Sequence, residues 1–311
     1  MFVSVIALLL FRGTVAFADE AEPLRPQATE FSGGVNVYSF FVNVVREPFS
    51  FPLIGFVNIM AGSHNGLQAG FVNVNTGDFG GLQLGFVNTA LGNLQGSQVG
   101  FVNIAGGSFQ GAQIGFVNTA VGGKGPQVGF VNVSPGPLTG VQIGFVNFVD
   151  SIEGGIPVGF ISIVRNGGFK AVEYAMSDFH LLGIGLKLGV ESFYGIIYVG
   201  YDPTGDDFRR DFVTGFGFGS LIPLGRTFFL NPELLSANGF ASGNGPYLTS
   251  FATLLGLNLG RNLAFVAGPS LSWQRTEAGK GVKPLLGGTI ARIDDRNSLS
   301  VGARLGFRVR I

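Results

Sequence analysis

The sequence predicts an all-β fold, and three observations indicate it. A 15-residue phrase containing Gly-Phe-Val-Asn returns along the first half of the chain, each copy alternates with period two, and glycine-rich pairs separate the copies. A fixed period indicates one supersecondary unit per copy. The leading prediction is an antiparallel transmembrane β-barrel of about 16–18 strands, flattened on the repeat side, with each copy as one strand.

Charge is scarce along the repeats. The chain has 311 residues, a net charge of zero and 12% charged residues, and between Pro52 and Asn147 the only formal charges are Asp78 and Lys124. A soluble chain usually has about a quarter of its residues charged, whereas strands that cross hydrocarbon need almost none. The absence of cysteine excludes a disulfide framework and a thiolate metal site, and the balanced charge gives no reason to expect nucleic acid as a partner.

The amino terminus is typical of an exported protein. Phe2 to Phe11 is an apolar run, and Ala16-Phe17-Ala18 has the small-x-small pattern that precedes cleavage. After this run the chain has no uninterrupted apolar stretch long enough for a membrane-spanning helix. The sequence thus divides into a signal peptide (1–18), a tether (19–32), repeat strands (33–164) and C-terminal barrel strands (165–311).

Each repeat carries a Phe and, two residues later, an Asn. Period-two alternation places Ile114, Phe116 and Asn118 on one face of their strand. A two-residue turn at Gly107-Ser108 would set Phe101 opposite Ile114, so antiparallel pairing is consistent from copy to copy. The marker positions are Phe56, Asn58, Phe71, Asn73, Phe86, Asn88, Phe101, Asn103, Phe116, Asn118, Phe130, Asn132, Phe145 and Asn147.

A β-solenoid followed by a smaller C-terminal barrel is the alternative architecture. The spacing of 15, broken once by a 14 near Lys124, is what the stacking of coils needs. The scarcity of charge favours membrane strands, but two points oppose them: equal short turns supply little shear, and the Asn column would lie in hydrocarbon. The sequence leaves both architectures open.

The second half keeps the strand pattern and regains charge. From Leu299 to Ile311 aliphatic residues alternate with a face that carries Arg304, Arg308 and Arg310. With Lys187, these arginines predict a positive cluster in a water-filled lumen that favours anions. Four aromatic residues are candidates for an interfacial girdle: Tyr194, Tyr198, Tyr201 and Trp273.

The segment IPVGFISIVRNG from Ile156 to Gly167, followed by GLKLG from Gly185 to Gly189, carries a resemblance. Here the chain resembles a family of exported bacterial outer-membrane surface-repeat proteins, whose repeats lead into a barrel-like carboxyl end. The resemblance covers Leu53 to Pro203 and implies an outer-membrane location. The charge-poor barrel is also similar to ring-forming outer-membrane proteins that enclose lipid.

These observations predict a structural scaffold in the outer membrane, homo-oligomeric and associated with lipid, with no enzymatic activity and no cofactor. A porin-like channel for small anionic solutes is the alternative. An outer-membrane hydrolase is the second alternative, for which Ser177 and His180 are the nearest nucleophile and base; a polar turn explains them more simply. His64 is interpreted as a turn residue, and no residues suggest a metal site.

Overall fold

A computed structural model describes residues 38–47, 49–202, 212–239, 247–276 and 284–311. The predicted signal peptide and tether lie outside these ranges. Within them, no helix has the length and apolarity needed to cross a bilayer. The strands are β1 (Val42–Val45), β2 (Leu53–Ile54), β3 (Val57–Met60), β4 (His64–Ala69), β5 (Val72–Asn75), β6 (Phe79–Leu84), β7 (Val87–Ala90), β8 (Leu94–Val99), β9 (Val102–Ala105), β10 (Phe109–Ile114), β11 (Val117–Ala120), β12 (Gln127–Val128), β13 (Val131–Leu138), β14 (Val141–Ile152), β15 (Ile156–Asn166), β16 (Phe169–Met176), β17 (Leu182–Val190), β18 (Phe193–Tyr201), β19 (Phe212–Gly219), β20 (Ile222–Leu224), β21 (Phe228–Gly239), β22 (Tyr247–Asn258), β23 (Leu263–Arg275), β24 (Gly287–Arg292) and β25 (Asn297–Arg310).

The repeats form a β-solenoid in which each 15-residue copy is one coil of two short strands. Strand β8 pairs in parallel with β6 and β10, and β9 pairs in parallel with β7 and β11. Equivalent residues of successive coils therefore lie side by side. The long strand β14 pairs with both β12 and β13, and β15 adds the last coil. The all-β prediction is confirmed, in the form of the solenoid alternative.

Two ladders of amide side chains fill the interior of the solenoid. From Asn43 to Asn132, each Asn Nδ2 donates to the Asn Oδ1 of the next coil at 2.8–2.9 Å, and Asn147 Nδ2 donates to Ser162 Oγ at 3.2 Å. The Gln ladder runs the other way: from Gln142 back to Gln68, each Nε2 donates to the Oε1 of the preceding coil at 2.6–2.7 Å. Only parallel, in-register stacking brings identical side chains together in this way.

The prediction that the repeats are antiparallel membrane strands is therefore wrong, and the corner at each Gly-Phe pair is the physical reason. Gln113 and Asn118 both point inward although they are five positions apart, because the chain turns at Gly115 and Phe116. Strict alternation would have put them on opposite faces. At the equivalent corner, a Cβ on Gly100 would collide with the carbonyl oxygen of the coil below, so glycine permits the close stacking.

Eight strands after the solenoid close an antiparallel barrel in the order β16, β17, β18, β19, β21, β22, β23, β25 and back to β16. The predicted count of about 16–18 strands was too high because the repeats belong to the solenoid. Strand β20 extends the wall beside β21, and β24 does so beside β25. The even strand number brings Phe169 and Arg310 to one end of the barrel, where the short turn Glu191-Ser192 also lies.

The last solenoid coil packs against the outer wall of the barrel. Val190 at the end of β17 joins Leu138, Val149 and Val164 of the solenoid in one apolar cluster. Gly195 on β18 faces outward, and a Cβ there would collide with the carbonyl oxygen of Phe160. The barrel thus covers the core of the last coil, and the other coils stack outward from the side of the barrel.

Candidate functional site

The barrel interior holds five ionised side chains, which we call the lumen cluster: Glu173, Lys187, Glu233, Arg304 and Arg308. Each is at most 5% exposed. Alternation along the strands turns all five inward, since β16 supplies Glu173, β17 supplies Lys187, β21 supplies Glu233, and β25 supplies both arginines. The interior of the barrel is therefore polar at its centre.

The cluster is connected by ion pairs that span the lumen. Glu173 Oε1 accepts from Arg304 Nη2 at 2.7 Å, and its Oε2 accepts from Lys187 Nζ and Arg308 Nη2, each at 2.6 Å. Glu233 Oε2 accepts from Arg304 Nη1 at 3.0 Å, and Oε1 accepts from Lys187 Nζ. Three cations against two carboxylates leave one positive charge in excess. Mutual pairing offsets the large cost of removing these charges from water.

Neutral side chains complete this network. The hydroxyl of Tyr194 donates to Glu233 Oε1 at 2.6 Å and accepts from Asn231 Nδ2 at 2.5 Å. Asn231 also donates to the backbone carbonyl of Ser220 at 2.8 Å, and its Oδ1 accepts from Arg308. Neutral donors and acceptors therefore add hydrogen bonds to Glu233 and Arg308, although Arg308 Nη1 is buried without a partner among the described residues.

The outer face of the barrel is apolar. Within the described strands of the barrel, its charged side chains are confined to Lys170 and Arg275, which lie at or beside strand ends. Elsewhere the outward positions carry mainly aliphatic and aromatic residues, with a few neutral hydroxyl side chains such as Thr214 and Thr253. The large apolar ones are 37–55% exposed: Tyr174, Ile184, Ile197, Phe216, Leu234, Phe251, Leu255, Leu271, Leu305 and Phe307. The barrel thus places charge inside and apolar side chains outside, the reverse of a soluble protein.

The turn between β16 and β17 packs into one mouth of the barrel. Asp178 Oδ2 accepts from the Ser272 hydroxyl at 2.7 Å, and burial raises the pKa of this carboxyl. His180 Nδ1 lies 3.4 Å from the Tyr198 hydroxyl, and burial lowers the pKa of His180 to about 4. The Ser177 hydroxyl accepts the backbone N–H of His180 at 3.1 Å, an arrangement typical of a polar turn.

One edge of the solenoid is a stack of exposed phenylalanine rings, which we call the aromatic edge. Neighbouring ring centroids are 4.9–5.0 Å apart and the planes are within 4° of parallel. Its members are 42–56% exposed: Phe56, Phe71, Phe86, Phe101, Phe116, Phe130 and Phe145. A column of aliphatic residues two positions earlier is similarly exposed: Ile54, Leu84, Val99, Ile114, Val128 and Ile143.

The opposite edge of the solenoid is polar. Its exposed residues include Ser63, Asp78, Asn93, Ser108 and Lys124, with Val121 as an apolar member. Along this polar edge, Asp78 Oδ1 accepts the backbone N–H of Asn93 at 2.8 Å, and Asn93 Oδ1 accepts that of Ser108 at 3.1 Å. Strands of four to six residues separate the two edges, which corresponds to roughly 15–20 Å. The solenoid is therefore amphipathic from edge to edge.

The structure brings together three of the four predicted lumen cations. Lys187, Arg304 and Arg308 lie in the lumen cluster, whereas Arg310 lies at the barrel rim and pairs with Glu191 at 2.8 Å. The cluster is also not purely positive, because Glu173 and Glu233 lie within it. A signal for both acids was present in the sequence, since each is a lone ionisable residue on one face of an alternating strand.

Several aromatic and histidine positions differ from their predictions. Tyr194 and Tyr198 point into the barrel, so neither belongs to a girdle. Trp273 points outward and lies 5.6 Å from the ring of Tyr247. His64 is not a turn residue: it is fully buried in β4, with Nε2 3.0 Å from the carbonyl oxygen of Phe51, because it occupies the inward column of Phe79. Burial lowers the pKa of His64.

Two further observations bear on function. Among the residues that the structure describes, no three acidic or histidine side chains are grouped as a metal ion would require. Comparisons of the chain with protein-family models, with curated proteins and with solved structures find no significant match. The distribution of polar and apolar side chains over the two folded parts therefore carries the functional argument.

Proposed function

We propose that the protein is an integral protein of the bacterial outer membrane, with the eight-stranded barrel as anchor and the solenoid as a structural scaffold. One observation carries the proposal: the barrel has ion pairs inside and exposed aliphatic and aromatic side chains outside. Apolar surface in water is unfavourable by about 25 cal/mol per Å², so an outer wall of this kind is favourable only against an apolar medium. Lipid is that medium.

The dimensions of the barrel support the same proposal. Its eight strands have 8–14 residues, against about 9–11 needed to cross a bilayer. A closed barrel leaves no unpaired strand edge in lipid. The connections have 2, 8 and 4 residues at one end and 5, 10, 7 and 21 residues at the other, so the longest lie at one end, as in outer-membrane barrels. Trp273 and Tyr247 lie together at the long-connection end, where an interfacial aromatic pair belongs.

The lumen cluster favours an anchor over a channel. Bonds from β17 and β25 to Glu233 on β21 cross the lumen, so a solute would have to break buried ion pairs to pass. We expect purified protein in a planar bilayer to show no stable conductance steps. Large, anion-selective steps would favour the porin-like alternative.

The absence of enzymatic activity and the homo-oligomer stay predictions. Turnover assays with ester and glycan substrates test the first, and light scattering in detergent tests the second.

A matched pair of variants tests the membrane anchor. Leu234 and Leu224 are 48% and 51% exposed, but Leu234 lies mid-strand on the barrel wall and Leu224 lies in short β20 near the turns. If lipid surrounds the wall, Leu234→Arg should make the free energy of folding into vesicles less favourable by about 2–4 kcal/mol, and Leu224→Arg by about 0–1 kcal/mol. Equal small effects, with wild-type protein released from membranes by carbonate, would overturn the proposal.

A further inference from the structure

We propose that the aromatic edge of the solenoid faces lipid acyl chains, so that the solenoid lies in the plane of the membrane beside the barrel. This inference rests on the proposed function, because it needs the barrel to span the bilayer. It goes further, since it assigns an occupant to a surface that the anchor alone does not explain. Four observations support it: the aromatic edge is continuous with the barrel wall, the coils extend sideways from the barrel, the edge is uncharged, and its backbone N–H groups are hydrogen-bonded within the solenoid.

The aromatic edge is continuous with the outer wall of the barrel. The ring of Phe160, in the last coil, lies 5.0 Å from that of Phe145 and 4.8 Å from that of Phe216 on β19. Phe218 on the same strand lies 5.5 Å from Phe160. The stacked rings therefore run directly into the barrel surface that we propose faces lipid. Lipid in contact with the barrel wall would therefore also reach the aromatic edge, with no polar surface between them.

The coils extend sideways from the barrel. Gly195 and Val190, which contact the last coil, lie beside the short turn at Glu191-Ser192. Because the core of the last coil abuts the barrel wall, the stacking direction points away from the wall and along the membrane plane. With rings about 4.9 Å apart, the aromatic edge runs through the leaflet at the short-turn end of the barrel.

The chemistry of the surface fits acyl chains better than a protein partner. The aromatic edge and the aliphatic column beside it carry no charge, and the two formal charges between Pro52 and Asn147, Asp78 and Lys124, are on the polar edge. A protein interface usually has a polar rim around its apolar centre. Here the apolar stripe extends coil after coil to the barrel, while the polar edge remains available to water and headgroups.

The backbone N–H groups at the aromatic edge are bonded within the solenoid. At the corner of one coil, the N–H of Gly100 donates to the Ile114 carbonyl at 3.0 Å, and the N–H groups of Phe101 and Val102 donate to the Phe86 carbonyl at 3.0 and 2.9 Å. Lipid offers no hydrogen-bonding partner, so only a backbone bonded internally can enter it. The N–H groups at the corners of stacked coils meet this requirement.

The test uses the absence of cysteine from the chain. Phe101→Cys on the aromatic edge and Ser108→Cys on the polar edge of the same coil would each carry an environment-sensitive fluorophore, in protein reconstituted into phosphatidylcholine vesicles. Ile114→Cys, on the aliphatic column, is a second apolar-edge variant if the first does not fold. Migration on unboiled gels checks that each labelled barrel is folded.

We expect quenchers attached to acyl chains to quench the probe at position 101 or 114 several-fold more than the probe at 108, with the opposite order for aqueous iodide. Strong iodide quenching at 101 and 114 would overturn the inference. If the probes at 101 and 114 were protected from iodide and also from lipid-borne quenchers, the inference would again be overturned. That result would indicate that protein, such as a second copy, covers the aromatic edge. The fluorescence of Trp273 in the same vesicles separates the two proposals. If lipid-borne quenchers reach Trp273 while iodide reaches the probes on the aromatic edge, the barrel anchor stands and only the inference about the edge fails.

Discussion

The Nδ2 group of Asn103 donates to Oδ1 of Asn118 at 2.8 Å, 15 residues further along the chain. The same Nδ2 donates to the carbonyl of Ile114 at 2.9 Å, and Oδ1 of Asn103 accepts from Asn88. Every ladder Asn is therefore tied both to its neighbours and to the backbone. A buried polar network that is satisfied in this way rigidifies a core and fixes its register.

Removal of one ladder amide should weaken the solenoid. In Asn103→Leu, Oδ1 of Asn118 and the carbonyl of Ile114 lose donors while they remain buried, so we expect a loss of about 2–4 kcal/mol in the free energy of unfolding. The exposed residue Gln110 is the control, because Gln110→Leu should change stability by less than about 0.5 kcal/mol. Urea unfolding of the full chain, followed by strand circular dichroism, measures both. A ladder variant as stable as its control would contradict the account of the interior.

The lumen cluster should depend on each of its carboxylates. Glu173→Gln leaves Lys187, Arg304 and Arg308 with one buried carboxylate, so we expect a loss of about 3–5 kcal/mol. The control is Glu191→Gln, since Glu191 is about half exposed and pairs with Arg310 at the rim; an exposed pair contributes about 0–1 kcal/mol. The temperature at which the barrel loses its compact migration on gels reports the difference. Similar transition temperatures would show that the cluster is not a structural element.

Burial of His180 predicts a pH dependence of barrel stability. In the unfolded chain His180 binds a proton near its ordinary pKa of 6.5, whereas in the folded chain burial lowers the pKa to about 4. The contribution of His180 to the free energy of unfolding is therefore fully present above pH 6.5. It decreases as the pH falls toward 4, by up to about 3 kcal/mol. The raised pKa of Asp178 acts in the opposite direction in the acidic range, because burial disfavours its charged form.

The variant His180→Gln isolates this contribution. Its stability should change less than that of the wild type between pH 6.5 and 4, since Asp178 is common to both chains. Unfolding midpoints measured across this range provide the comparison. Parallel curves for the two proteins would show that His180 does not carry the pH dependence.

The sequence specified the barrel strands more fully than the repeats. In β25, inward Arg304 and Arg308 alternate with outward residues as predicted, because one face of a barrel strand keeps one environment throughout. In the repeats, each Gly-Phe corner reverses the inward face between Gln113 and Asn118, so alternation across a whole copy was misleading. The scarcity of charge was equally ambiguous, since exposed phenylalanines and paired amides produce it as well as membrane strands do.

The candidate site could be predicted only in part. Lys187, Arg304 and Arg308 followed from alternation, but the pairing of these cations with Glu173 and Glu233 depends on strand order around the barrel. Lys187 and Glu233 are 46 residues apart in the chain, and Glu173 and Arg308 are 135 apart. A single sequence carries no information about such distant partners. The predicted excess of positive charge was therefore overestimated.

The packing of the last solenoid coil on the barrel should require glycine at position 195, because the carbonyl oxygen of Phe160 lies where a Cβ would be. In Gly195→Ala the new Cβ would collide with the carbonyl oxygen of Phe160, so the last coil must move away from the wall. We expect limited proteolysis in the connection at residues 167–168, between β15 and β16, to become several-fold faster. Gly185→Ala is the control, because its Cβ would meet Ile196 at an ordinary contact distance of 3.6 Å. Unchanged cleavage in the first variant would contradict the packing of the last coil on β18.

The most direct test of the central claim, that lipid surrounds the barrel wall, uses the only tryptophan of the chain. Trp273 lies on the outer face of β23, between the inward residues Ser272 and Gln274. In vesicles of lipids brominated along their acyl chains, we predict strong quenching of its fluorescence compared with unbrominated vesicles, and weak quenching by aqueous iodide. Fluorescence that is insensitive to brominated lipid and strongly quenched by iodide would contradict the account.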